Sequence, residues 1–201
     1  MPDLSRDALG LLDSLGIPRA HVIGMSMGGL IAMDMAVKRP EAIASLVLLG
    51  TFGKTSPRGD LVQEVRKTLQ ARLEPHEYFM VLATWMFGPE SLGKPGFVEE
   101  FVRMQVNNPH PQAPHAFRQL AEGVKNFDMR AKLKDIRQPT LVLVGEEDVM
   151  ATPSQSRSLA QGIPGAELMI LPNLGHFLLM EDPQLLADRI CGFLDRMEPV
   201  L

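Results

Sequence analysis

The chain has 201 residues and a formal net charge of −4, with an isoelectric point near 5.7. This balance argues against a nucleic-acid partner. Its 45% hydrophobic and 22% charged content is that of a globular domain able to bury a core. No apolar run approaches the roughly 18 residues of a membrane span, and a single cysteine, Cys191, leaves no intrachain disulfide framework, so a reducing, cytoplasmic location without membrane partners is expected.

Taken in chain order, Asp3 to Leu15 predicts an amphipathic helix, with Leu4, Ala8, Leu11, Leu12 and Leu15 on one face. The opening decapeptide lacks a basic region followed by an apolar core and does not read as a secretory signal. Gly16 and Pro18 stop the helix. Ala20–Ile23 is a short apolar strand, Met27 to Lys38 a helix, and Ile43–Leu49 a nearly all-apolar strand of the kind covered on both faces. Helix, strand, helix, strand is the opening of a parallel α/β sheet.

From Thr51 to about Lys134 no strand-like run occurs. Asp60–Leu73, Pro75–Phe87, Gly96–Asn107 and His115–Asn126 read as helices between Gly and Pro breakers. Four consecutive helices inside an α/β pattern predict an inserted helical cap over residues 51–129, with residues 1–50 and 130–201 forming the core. Met and aromatic residues at helical spacing usually make a core. Trp85, Met86 and Phe87, the most apolar stretch of the insertion, are nevertheless expected to contribute to an apolar substrate pocket. His110 and His115 fall in a Pro-rich stretch, His76 in a first helical turn, and His21 before a strand. None has companions at metal-ligand spacing, so no metal and no cofactor are expected.

The α/β pattern then returns. Thr140–Val144 is a strand, Thr152-Pro153 starts a helix to about Gln161, Glu167–Leu171 is the fourth strand, and Asp182-Pro183 starts a last helix to about Met197.

Three strand ends carry chemistry. Gly24-Met25-Ser26-Met27-Gly28-Gly29 joins a strand to a helix, and Gly-x-Ser-x-Gly in that setting is a nucleophile elbow. The alternative reading is a Gly-rich strand–helix turn that happens to contain Ser, such as a phosphate cradle. Gly24 and Gly28 are expected where a side chain would jam strand against helix, and the N–H of Met27 is placed to donate to a developing oxyanion. Gly145-Glu146-Glu147-Asp148 follows the third strand, and Pro172-Asn173-Leu174-Gly175-His176 the fourth. In parallel α/β sheets functional groups collect at these carboxyl ends. A serine hydroxyl is a poor nucleophile until a base takes its proton. Neutral imidazole can do so near pH 7, and a carboxylate fixes its tautomer.

Ala20–Gly29, Gly145–Asp148 and Leu171–Pro183, including Leu-Pro-Asn-Leu-Gly-His and Glu-Asp-Pro, resemble α/β-hydrolase fold proteins. The resemblance covers most of the chain outside the insertion. It implies Ser26 as nucleophile, Asp148 as acid and His176 as base, with Glu147 the alternative acid. It also implies hydrolysis of a small-molecule ester, lactone or related acyl bond through an acyl-enzyme. Serine at the elbow sets the chain apart from the epoxide hydrolases and haloalkane dehalogenases of this fold, which use Asp. Similar Ser-Met-Gly-Gly elbows occur in enol-lactonase-like and cofactor-free haloperoxidase-like members, and carbon–carbon bond hydrolases are a further alternative.

Members of that family usually carry four strands ahead of the elbow strand, whereas one helix precedes it here. The strands present correspond to strands 5–8, a partial α/β-hydrolase fold. A His-Gly-x-Gly loop, which often supplies the second oxyanion donor, does not occur in the sequence, and loss of one such donor typically costs about 100- to 1,000-fold in rate. Ala20–Ile23 is then expected at a sheet edge, open to pairing with a second copy of the chain. A catalytically impaired binding or assembly module is therefore the reading that competes with an active serine hydrolase.

Overall fold

The computed structural model describes residues 1–197. They form a four-stranded, all-parallel sheet in the order β1-β2-β3-β4. In chain order the elements are α1 (Pro2–Ser14), β1 (Ala20–Met25), α2 (Met27–Lys38), β2 (Ile43–Leu49), α3 (Pro57–Gln70), α4 (Pro75–Met86), α5 (Pro89–Leu92), α6 (Phe97–Val106), α7 (Pro114–Lys125), β3 (Thr140–Gly145), α8 (Pro153–Gly162), β4 (Glu167–Leu171), α9 (Leu178–Glu181) and α10 (Pro183–Leu194). Short 3₁₀ turns span Pro40–Ala42 and Arg130–Asp135. Among the described residues no helix is long and apolar enough to cross a membrane.

The apolar run of β2 is buried at every residue, because its pleat sends alternate side chains into two cores. Leu46 and Leu48 join Val142 of β3, Leu30 and Met33 of α2, Leu9 of α1 and Leu159 of α8. Val47 and Leu49 join Leu141, Leu143 and Leu171 with Leu178, Leu186, Ile190 and Phe193 of the last two helices. Helices on both faces are what right-handed parallel crossovers require. The registers Met25↔Leu49, Leu49↔Leu143 and Gly145↔Leu171 bring the four strand ends level, so the segments that follow emerge along one rim.

Several boundaries move from their expected places. β1 runs on to Met25, right up to the serine, instead of stopping at Ile23. α3 begins at Pro57 instead of Asp60, because the Ser56 hydroxyl accepts the N–H of Gly59 at 3.1 Å and caps the helix. α5 and α9, one turn each, have no periodicity long enough to show in sequence, and α10 ends at Leu194, short of Met197. Among the described residues β1 pairs on one side only, and its Ile23 is 51% exposed.

Residues 51–129 contribute no strand to the sheet. The ends of the segment are drawn together by a bridge between Lys54 and Asp128, whose side chains pair at 3.2 Å. A separate apolar cluster of Tyr78, Leu82, Ala83, Phe87, Phe101 and Val102 knits α4 to α6. Phe87 meets Phe97 and Phe101 edge-on at 4.9 Å, a geometry that aligns ring edges with ring faces.

Candidate active site

Ser26 stands between β1 and α2 with φ 51° and ψ −117°, a conformation that costs a non-glycine residue roughly 1–3 kcal/mol and that collects at functional sites. The surrounding bonds hold it there. Its N–H donates to the Leu49 carbonyl at 2.8 Å, and its carbonyl accepts from the Thr51 hydroxyl at 2.8 Å and from the Gly29 N–H at 3.0 Å. A Cβ on Gly24 would lie 2.4 Å from the Gly28 carbonyl oxygen, as the sequence reading requires. Gly28 does not behave as expected: a Cβ there would meet nothing within 4 Å. The tight position is Gly29, where a Cβ would sit 2.6 Å from Thr51 Cγ2. Met27 opens α2, and an N–H at that position has no intrahelical acceptor.

His176 Nε2 lies 3.1 Å from Ser26 Oγ, and His176 Nδ1 lies 2.8 Å from Asp148 Oδ2. Asp148 and His176 are both buried. The second carboxylate oxygen, Oδ1, accepts the N–H groups of Met150 and Ala151, each at 2.8 Å, so the loop after β3 aims Oδ2 at the imidazole. Glu147 is exposed on the same loop, and the hydrogen-bond partner of His176 Nδ1 is Asp148. Residues 150 sequence positions apart thus meet in one hydrogen-bonded chain.

The loop after β4 that carries His176 is stitched to the end of α4. The N–H groups of His176 and Phe177 both donate to the Met86 carbonyl, at 2.8 and 2.9 Å. The buried Glu181 carboxylate accepts from Gly175 N–H at 2.7 Å and from Gly88 N–H at 2.8 Å. Burial pushes the Glu181 carboxyl above the ordinary carboxylate range, with the two N–H donors opposing the shift. Gly88 and Gly175 press so closely that a Cβ on Gly175 would lie 2.6 Å from the Gly88 nitrogen.

Two further residues of the site escaped sequence reasoning. Gly50, at φ 48°, ends β2 beneath the His176–Asp148 pair. A Cβ there would come within 3.1 Å of Asp148 Oδ2 and 3.2 Å of His176 Nδ1. Thr51 braces the elbow as described. The one sequence signal for either was a glycine terminating the apolar run Ile43–Leu49.

Beside Ser26 and His176 lies a cavity of about 200 Å³ walled by Phe52, Met150, Gln63 and Arg66 of α3, and Phe117, Leu120, Ala121 and Val124 of α7. Trp85, Met86 and Phe87 do not line it. They end α4 with their side chains in the insertion's own apolar cluster, and their part in the site is the Met86 carbonyl behind His176. Apolar density marked where the insertion packs, not where it opens. His76, His110 and His115 are exposed, and His21 Nδ1 pairs with Ser45 Oγ at 2.8 Å. Among the described residues no group of three His, Cys, Asp or Glu side chains could hold a metal ion.

A family model described as alpha/beta hydrolase fold matches residues 1–183. A Pseudomonas savastanoi pv. phaseolicola protein provisionally named as the carbamate hydrolase RutD is 29% identical over 96% of this chain and 74% of its own length. Among solved structures, the enol-lactonase from Burkholderia xenovorans LB400 superposes with a TM-score of 0.83 at 27% identity, over 96% of this chain and 72% of its own. A thermophilic esterase from Thermogutta terrifontis does so with a TM-score of 0.80 at 26% identity, over 96% and 71%.

Proposed function

The chain belongs to the α/β-hydrolase fold family, and from that premise we propose that it is a serine hydrolase of carboxylic esters, lactones or related acyl bonds. The observation that carries this reading is the unbroken relay Ser26 Oγ–His176 Nε2 at 3.1 Å and His176 Nδ1–Asp148 Oδ2 at 2.8 Å. Relatives bearing the names esterase, enol-lactonase and carbamate hydrolase favour acyl transfer over the other chemistries of the fold.

In this mechanism Ser26 Oγ attacks the substrate carbonyl as His176 Nε2 takes its proton. Asp148 keeps the Nδ1–H tautomer and offsets the charge of the imidazolium. The oxygen of the tetrahedral intermediate receives the Met27 N–H at the start of α2, where the helix dipole favours negative charge. The intermediate collapses, the carbon–oxygen bond to the leaving group breaks, and His176 returns the proton to that oxygen. Water, deprotonated in turn by His176, attacks the acyl-Ser26 carbonyl; the bond from the acyl carbon to Ser26 Oγ then breaks, His176 returns the proton to Oγ, and the acid leaves. The α3 and α7 segments of the insertion serve as a cap that shapes the acyl pocket above Ser26.

Labelling with an activated fluorophosphonate tests this, because it requires a competent nucleophile and little substrate recognition. Ser26 is expected to be modified in the folded chain and the modification to disappear in His176→Ala. A folded protein that stays unlabelled overturns the proposal and supports a binding module.

A further inference from the structure

A second cavity, of about 470 Å³, lies between α3, α4, α6 and α7, and it shares Arg66, Gln112 and Phe117 with the one beside Ser26. Neither wall contains an aspartate or glutamate, and Arg66 is the one formally charged side chain lining either cavity among the described residues. Its neighbour Lys67 is matched with Glu64 at 2.9 Å, whereas Arg66 forms no ion pair among the described residues. Its guanidinium lies 4.6 Å over the Phe117 ring. It makes two long hydrogen bonds, Nε to the Tyr78 hydroxyl and one terminal nitrogen to Gln63 Oε1, each at 3.4 Å. The ring fixes the plane of the guanidinium and leaves the other terminal nitrogen unspent. A planar fork of this kind fits a carboxylate in two parallel bonds.

We infer that Arg66 determines specificity by binding a free carboxylate on the acyl portion of the substrate, away from the bond that is cleaved. The inference rests on the acyl-hydrolase reading above. The substrate class is then a half-ester of a dicarboxylic acid, or a lactone bearing a carboxylate, with the apolar walls of Phe117 and Leu120 accepting the intervening methylenes. In a half-buried site with no competing acid, such a charge-assisted pair discriminates against a neutral isostere by about tenfold to a hundredfold.

The test compares kcat/KM for monoethyl adipate and for its neutral isostere ethyl heptanoate, followed by pH-stat near neutrality. The unaltered chain is expected to favour the half-ester by about tenfold or more. Arg66→Gln is expected to bring the ratio down to about one or below, and Arg66→Lys to restore part of it, a pattern that a merely structural arginine would not produce. Equal rates for the two esters with the unaltered chain, or a preference that survives Arg66→Gln, overturns the inference while leaving the hydrolase reading intact. If Arg66→Gln fails to fold, the ratio with Arg66→Lys decides: a fall supports the inference and an unchanged ratio overturns it. If neither ester is turned over, fluorophosphonate labelling of Ser26 decides the hydrolase reading. Calorimetric binding of adipate to the unaltered chain and to Arg66→Lys then decides the role of Arg66: binding that weakens in the variant supports it, and absent or unchanged binding overturns it.

Discussion

The rim of the sheet and the helical insertion reach the same cavity by different means. At the rim, positions are set by backbone. Ser26 is held at positive φ by bonds to Leu49, Gly29 and Thr51; Gly24 and Gly29 stand where a single Cβ would collide, and Gly50 where it would crowd the His176–Asp148 pair. In the insertion, position comes from side chains: one cluster of aromatic rings ties α4 to α6, while α3, with no buried residue of its own, leans on α7 across the cavity. Backbone placement tolerates little change at any residue. Side-chain placement spreads its energy over many weak contacts and leaves room to vary what lines the pocket.

The largest expected effects lie at the rim. Ser26→Ala is expected to lower p-nitrophenyl ester hydrolysis by about 10⁴-fold or more, with His176→Ala similar and Asp148→Asn somewhat less. The double variants should be no worse than the worst single one, because the residues act as a unit. Substantial ester hydrolysis by Ser26→Ala would remove the elbow from the mechanism.

Gly50→Ala comes next. The added methyl group crowds Asp148 Oδ2 and His176 Nδ1 at a backbone angle costly for an L residue. A misplacement of about 1 Å in such a relay is expected to lower kcat by about 100-fold, with a smaller loss of melting temperature. Unchanged kcat would mean that the rim has more slack than its glycines suggest.

In the insertion the same size of change should divide differently. Trp85→Ala removes a ring from the α4–α6 cluster and is expected to cost about 2 kcal/mol of stability while leaving acyl-chain preference alone. Leu120→Ala, facing the cavity, is expected to shift that preference toward longer chains with less effect on stability. Denaturation midpoints beside a chain-length series of esters would separate the two, and a changed profile in Trp85→Ala would return that residue to the pocket.

Glu181 joins the two regions, and its effect is read through pH. A carboxyl that holds its proton more tightly folded than unfolded contributes full stability below its ordinary value and loses it as the pH climbs through the raised one. Stability is expected to decline across that interval. Glu181→Gln is expected to flatten the decline and, by leaving one of the Gly88 and Gly175 N–H groups without an acceptor, to cost about 1–3 kcal/mol. Urea midpoints measured across the weakly acidic range give both numbers, and an unchanged slope in the variant would remove Glu181 as its source.

The smallest change to the fold itself is expected at β1. Among the described residues this strand pairs on one side, with Ile23 half exposed, and open N–H and C=O groups invite a second copy. Sedimentation at tens of micromolar is expected to show self-association, weakened by Ile23→Lys with little loss of stability. A sharply melting monomer would argue against pairing at this edge.

Much of the fold was legible because its signals are local. Ile43–Leu49 and Glu167–Leu171 read as strands with the bounds they have, and Thr152-Pro153 caps α8 as expected, the Thr152 hydroxyl accepting from Gln155 N–H at 3.4 Å. The candidate site was legible in its elbow and in the order Ser26, Asp148, His176, since strand ends in a parallel sheet converge on one rim whatever the loops between them do. The choice between Glu147 and Asp148 needed the loop's path, because adjacent residues point apart and one of them alone is turned inward by the N–H groups of Met150 and Ala151. The exchange of Gly28 for Gly29, the place of Gly50 under the relay, and a pocket built from α3 and α7 in place of Trp85-Met86-Phe87 depended on contacts across 20 to 150 positions of chain. Periodicity says which face of a helix is apolar. Only packing decides which apolar faces meet one another and which are left to meet a substrate.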